Sequence, residues 1–194
     1  ILGRSSALRR VLADVDKVAG SDTTVLITGE TGTGKELIAR AIHDLSDRRT
    51  LPFVVAGAAD LATMEGPATV ISRAKGGTIL FDEIGDLSDD AQARIVRMLD
   101  QLPDTAPRIM ATSQGDLMGR MEGESFRQDL YYRVSVFPID LPPLRERGDD
   151  LFLLVESLLK RISSTREWQL SSQARRCLQQ YHFPGNIREL RNIL

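Results

Sequence analysis

Gly29-Glu30-Thr31-Gly32-Thr33-Gly34-Lys35 places three glycines in seven positions and closes on a lysine. Glycine has no Cβ, so successive backbone N–H groups in such a run can turn inward around phosphate oxygens while the lysine meets the outer phosphates as a point charge. Working outward, Thr24 to Thr28 reads as a buried strand entering the loop, and Lys35 to about Leu45 as a helix leaving it. The N-terminus of that helix adds partial positive charge to the same anion site. The pattern predicts a phosphate-binding loop for a nucleoside triphosphate. Glu36 stands where many such loops carry a magnesium-binding Ser or Thr, so the metal should depend more on Asp82, the phosphates and water.

Asp82-Glu83 supplies the second half of the pattern, closing the apolar strand Thr78-Ile79-Leu80-Phe81. One carboxylate at a strand end can hold Mg2+, and the next can orient and deprotonate a water molecule. By itself the pair could be a solvated strand end before the turn at Ile84-Gly85; beside the glycine loop it reads as catalytic.

Apolar periodicity gives the rest of the frame. Leu8, Val11, Leu12, Val15 and Val18 recur at helical spacing before the first strand. Pro52 to Ala56, Arg108 to Ser113 and Val134 to Ile139 read as further strands, and Ala68 to Ala74 as a helix. Ser88 is the expected N-cap of a helix through Leu102, with Ala91, Ile95, Met98, Leu99 and Leu102 on its inner face. Strands alternating with helices predict an α/β fold with a five-stranded parallel sheet between helices. Around Pro142-Pro143 the pattern changes to helices alone: Leu151 to Ile162, Ser171 to Tyr181, and one entered through Pro184-Gly185-Asn186. Asn186 with Glu189 three positions on resembles a capping box that holds Arg188 in the first turn. The expected division is a nucleotide-binding part at 1–145 and a small all-helical lid at 146–194.

With 194 residues, 42% hydrophobic and 27% charged, the chain is long enough for a proper core. A formal net charge of −2 with scattered basic residues argues against a surface built to neutralise many DNA phosphates. The single cysteine, Cys177, excludes an internal disulfide framework and suits a reducing cytoplasm. No segment has the apolar length of a membrane span, so no membrane partner is expected. His43 and His182 lack ligand-spaced partners and read as packing or surface residues; Trp168 is expected to pack in the lid, and Tyr131-Tyr132 to pack locally. The chain opens inside an ordered pattern at Ile1-Leu2-Gly3 and stops within an amphipathic helix at Leu194, which reads as an excised central module.

These residues resemble a known family, the AAA+ domain of NtrC-like bacterial enhancer-binding proteins, the sigma-54-dependent transcriptional activators. The resemblance rests on Gly29 to Glu36, Gly76 to Gly85, Phe126 to Arg133, Phe137 to Arg147 and Pro184 to Leu190. It implies that ATP and Mg2+ bind, that Lys35 meets phosphates, Asp82 the metal, and that Glu83 positions the attacking water. It makes Arg127 and Arg133 trans-acting arginines reaching a neighbouring subunit's γ-phosphate, Arg188 the nucleotide-sensing lid arginine, and the acidic Glu36 ordinary. It also implies self-association, from a dimer to a hexameric or heptameric ring, and RNA polymerase as partner. The resemblance further implies a sensory N-terminal domain of the phosphorylatable receiver kind and a DNA-binding helix-turn-helix, both outside these residues.

Two departures set expectations apart from the family. Ser113-Gln114 replaces the usual Thr-Asn sensor, lengthening the amide by one methylene. The sigma-54-contacting tip, Gly-Ala-Phe-Thr-Gly-Ala, is absent: Val54 to Lys75 runs almost directly from strand to helix, and Leu99 to Arg108 replaces an extended hairpin. The expectation is a regulator that works by nucleotide-dependent oligomerisation with a polymerase other than the sigma-54 form, as activator or repressor. An ATPase motor acting on another substrate and a non-hydrolysing scaffold are the alternatives.

Overall fold

Side-chain alternation sorts the strands onto the two faces of one parallel sheet. A computed structural model of the chain describes residues 1–103, 106–162 and 170–194; Trp168, and Asp104 and Thr105 of the shortened hairpin segment, lie outside them. β1 (Val25–Thr28), β2 (Phe53–Ala56), β3 (Thr78–Phe81), β4 (Arg108–Ser113) and β5 (Phe137–Asp140) pair in the order β2-β3-β4-β1-β5. In register, Ile27 sits between Thr112 and Ile139, and Phe81 opposite Ala111. One face packs Val25, Ile27, Leu80 and Met110 against α1 (Ser6–Ala19) and α2 (Lys35–Asp44). The other packs Leu26, Ile79, Phe81 and Ile109 against α3 (Gly66–Ala74), α4 (Asp89–Asp100), α5 (Leu117–Glu122) and α6 (Gln128–Val134). Such helix-covered parallel strands bury both faces, which is why they read as near-continuous apolar runs.

The expected Ser88 cap forms, and α1 has one of the same kind. Ser88 Oγ accepts the Ala91 N–H, and Ser5 does the same for Leu8 at the start of α1. The fifth strand is displaced from its expected place: it spans Phe137–Asp140, and Val134 ends α6 instead. Leu130 and Val134 lie four apart on one helical face, and both are fully buried in the core, which holds that stretch helical. Arg108, the one charge in its strand, is 2% exposed and donates to the Thr23 carbonyl before β1 and to the Val18 and Ala19 carbonyls at the end of α1. There it serves as a cationic C-terminal cap. His43 is buried with Nδ1 2.9 Å from Thr78 Oγ1, the packing role expected of it, and burial lowers its pKa.

The C-terminal helices α7 (Leu151–Ile162), α8 (Ser172–Gln180) and α9 (Asn186–Ile193) carry their own small core of Leu151, Leu154, Val155, Phe183 and Leu190. Asp150, 0% exposed, joins them to the N-terminus of the chain. It accepts the Arg4 and Ser5 N–H groups and the Ser5 hydroxyl, and pairs with Arg147 at 3.1 Å.

Candidate nucleotide site

The loop between β1 and α2 is built on left-handed backbone that its glycines make accessible. Gly32 and Gly34 have φ of 78° and 101°. A Cβ on Gly32 would come within 2.2 Å of the Gly185 carbonyl oxygen, so the helical cap sits directly against the loop. Gly34 is the N-cap of α2, leaving that helix's first N–H groups directed at the loop. Lys35 is 6% exposed; its ammonium donates to the Gly29 carbonyl at 2.9 Å and pairs with Glu83 at 2.8 Å.

Asp82 and Glu83 follow β3 onto the same side. Glu83 adopts φ 50°, ψ 55°, a conformation L-residues other than Asn and Asp seldom take. The Thr112 hydroxyl on β4 donates to Asp82 Oδ1 at 2.7 Å and accepts the Glu83 N–H at 2.8 Å. A cavity of about 540 Å³ brings together Thr31, Gly32, Gly34, Lys35, Glu36, Asp82, Glu83, Gln114 and Arg188. Gln114 Oε1 accepts the Thr31 hydroxyl at 2.6 Å, whereas Ser113 is buried with its hydroxyl donating to the Gly115 carbonyl. Of the two expected sensor residues, only Gln114 lines the cavity. Glu36 reaches along its own helix to Arg40 at 3.1 Å.

A second cleft, about 520 Å³, adjoins the first through Gly34, Leu37 and Ile187. Leu8, Ile38, Leu141, Leu154 and Leu158 give it apolar walls suited to a flat heterocycle. The sequence marks none of these residues as ligand-binding, because each is an apolar residue indistinguishable from core.

Glu30, expected with its loop neighbours to bind nucleotide, lines neither of these two cavities. Its carboxylate takes two hydrogen bonds from Arg145, at 2.8 and 2.6 Å, and one from Asn186 Nδ2 at 3.1 Å. The expected capping box is corrected accordingly. Gly185, not Asn186, is the N-cap of α9, and Glu189 accepts the Gly185 N–H at 2.8 Å. Asn186 is fully buried at φ 50°, donates to the Thr31 carbonyl as well and accepts the Leu144 N–H, so its amide is spent on tertiary contacts. Arg145 carried no assigned role in the sequence, and Asn186 only that of a helix cap; both hold the loop instead.

The Arg145 hydrogen bonds, with help from Asn186, hold the Glu30 carboxyl down at about 2 against an ordinary 4.5. A carboxylate depressed on folding stabilises the fold above its unfolded pKa and loses that contribution as pH falls. The latch should therefore be complete above pH 4.5 and fade toward pH 2. The protection factor of the Ile187 amide, whose N–H donates to the Gly32 carbonyl, is expected to fall over that range and not in Glu30→Gln, which never carries the charge. Identical profiles in the two proteins would discount the latch.

Arg127 and Arg133 lie on the α6 side, and neither lines the cavity of its own chain. Arg127 chelates Asp129 through Nε and Nη2 at 3.0 and 2.8 Å; Arg133 pairs with Asp100 at 2.6 Å. All four side chains are exposed. Tyr131 and Tyr132 meet edge to face beside them.

A parallel sheet with a glycine loop after β1, an acidic pair after β3 and a helical cap against the loop defines a P-loop domain of the AAA+ type. The sigma-54 interaction domain model matches residues 2–144, and the AAA+ ATPase lid domain model matches residues 145–194. The chain belongs to the sigma-54 interaction domain family. It is 37% identical to the anaerobic nitric oxide reductase transcription regulator NorR of Escherichia coli, over 226 aligned positions covering 100% of this chain and 45% of the relative. It thus spans less than half of that relative's length. Crystal structures of NtrX from Brucella abortus in complex with ADP and with ATP superpose with TM-scores of 0.91 and 0.89, at 30% and 31% identity. Each covers 99% of this chain, which spans 49% and 50% of the NtrX chains. Among the described residues no helix is long and apolar enough to cross a membrane.

Proposed function

We propose that this chain is the ATP-binding module of a bacterial transcriptional regulator whose output is nucleotide-dependent assembly. Residues 1–145 form the nucleotide-binding part and 146–194 the lid. The observation that carries the reading is the convergence of Lys35, Asp82, Glu83, Gln114 and Arg188 on one cavity that continues into an apolar cleft. Triphosphate fits the loop's N–H groups and the Lys35 and Arg188 cations; a purine fits the cleft. Relatives crystallised with ADP and ATP support the same ligand.

The donor set also suits Mg2+, with Asp82 to hold it and Glu36 at the cavity wall. Bound there, the ion would neutralise charge on the phosphate oxygens. The chain's own residues do the rest. Lys35 exchanges the Glu83 carboxylate for a phosphate, which releases Glu83 to orient water and take its proton. Arg188 reports on the phosphate from the lid, and Arg127 and Arg133 complete a neighbour's site. Turnover therefore requires association. ATPase activity per subunit is expected to rise steeply with protein concentration and to vanish in Lys35→Ala; activity independent of dilution would count against shared sites.

The short connections favour a regulator that does not remodel the sigma-54 polymerase. Between β2 and α3 the chain folds tightly, with the Gly57 N–H donating to Asp60 at 3.0 Å and Leu61 fully buried. The 226-position alignment with NorR, to which this chain contributes 194 residues, leaves segments of the relative with no counterpart here. The family's own description favours the second reading, that sigma-54 remains the partner. Opening of sigma-54 promoters by the full-length protein with ATP would establish that reading and overturn ours. Glu83→Gln, binding ATP without hydrolysing it, separates assembly from a motor: regulation should survive in the first case and be lost in the second.

A further inference from the structure

We propose that Thr112 is the positioning residue of the acidic pair, so that one buried hydroxyl sets both the metal carboxylate and the water-activating carboxylate. This rests on the nucleotide-binding reading above.

A threonine hydroxyl has one proton to give and lone pairs to receive. Thr112 spends the proton on Asp82 Oδ1 at 2.7 Å and receives the Glu83 N–H at 2.8 Å. The first bond fixes the rotation of the Asp82 carboxylate. The second anchors the peptide at which the chain turns into the left-handed conformation of Glu83, from which Glu83 reaches Lys35 at 2.8 Å. Thr112 itself is immobile: it is 0% exposed, inside β4, in register with Ile27 of β1. A hydroxyl serving only to satisfy itself in a sheet needs one partner. Here both partners are the two adjacent acidic residues, and the loop lysine is the next group along. The arrangement is therefore a rigid chain from β4 through Asp82 and Glu83 to Lys35, with Thr112 as its fixed end. Polar groups behind a metal ligand orient it, and their loss weakens metal affinity about 10- to 100-fold.

The test compares the full chain with Thr112→Val, which removes the hydroxyl at nearly constant shape, and Thr112→Ser, which keeps it. Thermal stabilisation is measured with ADP in chelator and with ATP over a Mg2+ titration, and ATP turnover is measured alongside. In Thr112→Val the metal-free ADP shift should equal that of the parent protein. The Mg2+ midpoint should rise about 10- to 100-fold, and kcat should fall with KM for ATP little changed. Thr112→Ser should restore both. Thr112→Ala removes the same hydroxyl, is expected to match Thr112→Val, and stands in for it if that variant does not fold. An unchanged Mg2+ midpoint in the variants lacking the hydroxyl would overturn the proposal. So would a Thr112→Ser protein as impaired as they are, since that assigns the effect to the methyl group. A parent protein stabilised by neither nucleotide would overturn the nucleotide-binding reading itself, and this inference with it.

Discussion

Replacing Arg127 or Arg133 by alanine is expected to reduce ATP turnover about 10³- to 10⁵-fold, the range in which an arginine supplied to a phosphoryl-transfer site acts, while leaving ATP binding nearly intact. Neither arginine lines the cavity of its own chain, so neither can hold the nucleotide there. Each instead has a carboxylate substitute, Asp129 or Asp100, within its own chain. Exposed ion pairs of this kind contribute little to stability, so exchanging the carboxylate for a neighbour's phosphate meets little resistance. In the proposed shared site, shielded from water, the gain would be far larger. The decisive measurement is mixing: Arg127→Ala and Glu83→Gln, each inactive alone, should recover activity together, because some interfaces then join an intact base to an intact arginine. Arginine variants that turn over at the parent rate, or mixtures that stay inactive at concentrations where the parent assembles, would remove these residues from the site.

The second large effect concerns stability. Asp150→Asn should destabilise the fold by about 3 kcal/mol, since taking one partner from a buried pair leaves the other charge uncompensated. For a domain of this size that is a fall in Tm of ~6–12 °C. Arg147, 5% exposed, is the charge left behind. Burial by itself pushes the Asp150 carboxyl up. The Ser5 hydroxyl, the Arg4 and Ser5 amides and Arg147 outweigh it, and the net shift is downward from 3.8. The contribution is therefore present above pH 3.8 and is lost as pH falls below it. Calorimetry of both proteins at neutral and acid pH should show their Tm values converging at the acid end. A gap that persists unchanged at low pH would mean that the carboxylate charge is not what Asp150 contributes.

The sheet and the loop were legible because each rests on a local pattern: apolar runs for β1, β3 and β4, and glycine spacing for Gly29 to Lys35. β5 begins three residues later than its apolar pattern indicates, because that pattern runs back through Val136 to Val134, whose helical conformation is decided by packing against α4 and the sheet. The acidic pair could be read, but its support could not. Thr112 looks like any β-branched strand residue until the fold brings Asp82 and Glu83 to its hydroxyl. Asn186 looked like a helix cap because Asn before a Glu at the right spacing usually is one; burial against the loop reassigns it. Arginine roles were accessible only through resemblance, since an exposed Arg127 carries no signature of what approaches it.

Asn186 has a consequence for how the molecule can be taken apart. Its amide spans three stretches of chain distant in sequence: the glycine loop at Glu30 and Thr31, the connection at Leu144, and the lid helix it begins. Separating lid from loop must break its bonds to Glu30 and Thr31 together with the Arg145–Glu30 pair and the Ile187 N–H bond to the Gly32 carbonyl. The cap is thus fastened to the loop at several adjoining residues, and under the function proposed above release of spent nucleotide would require all of them to let go.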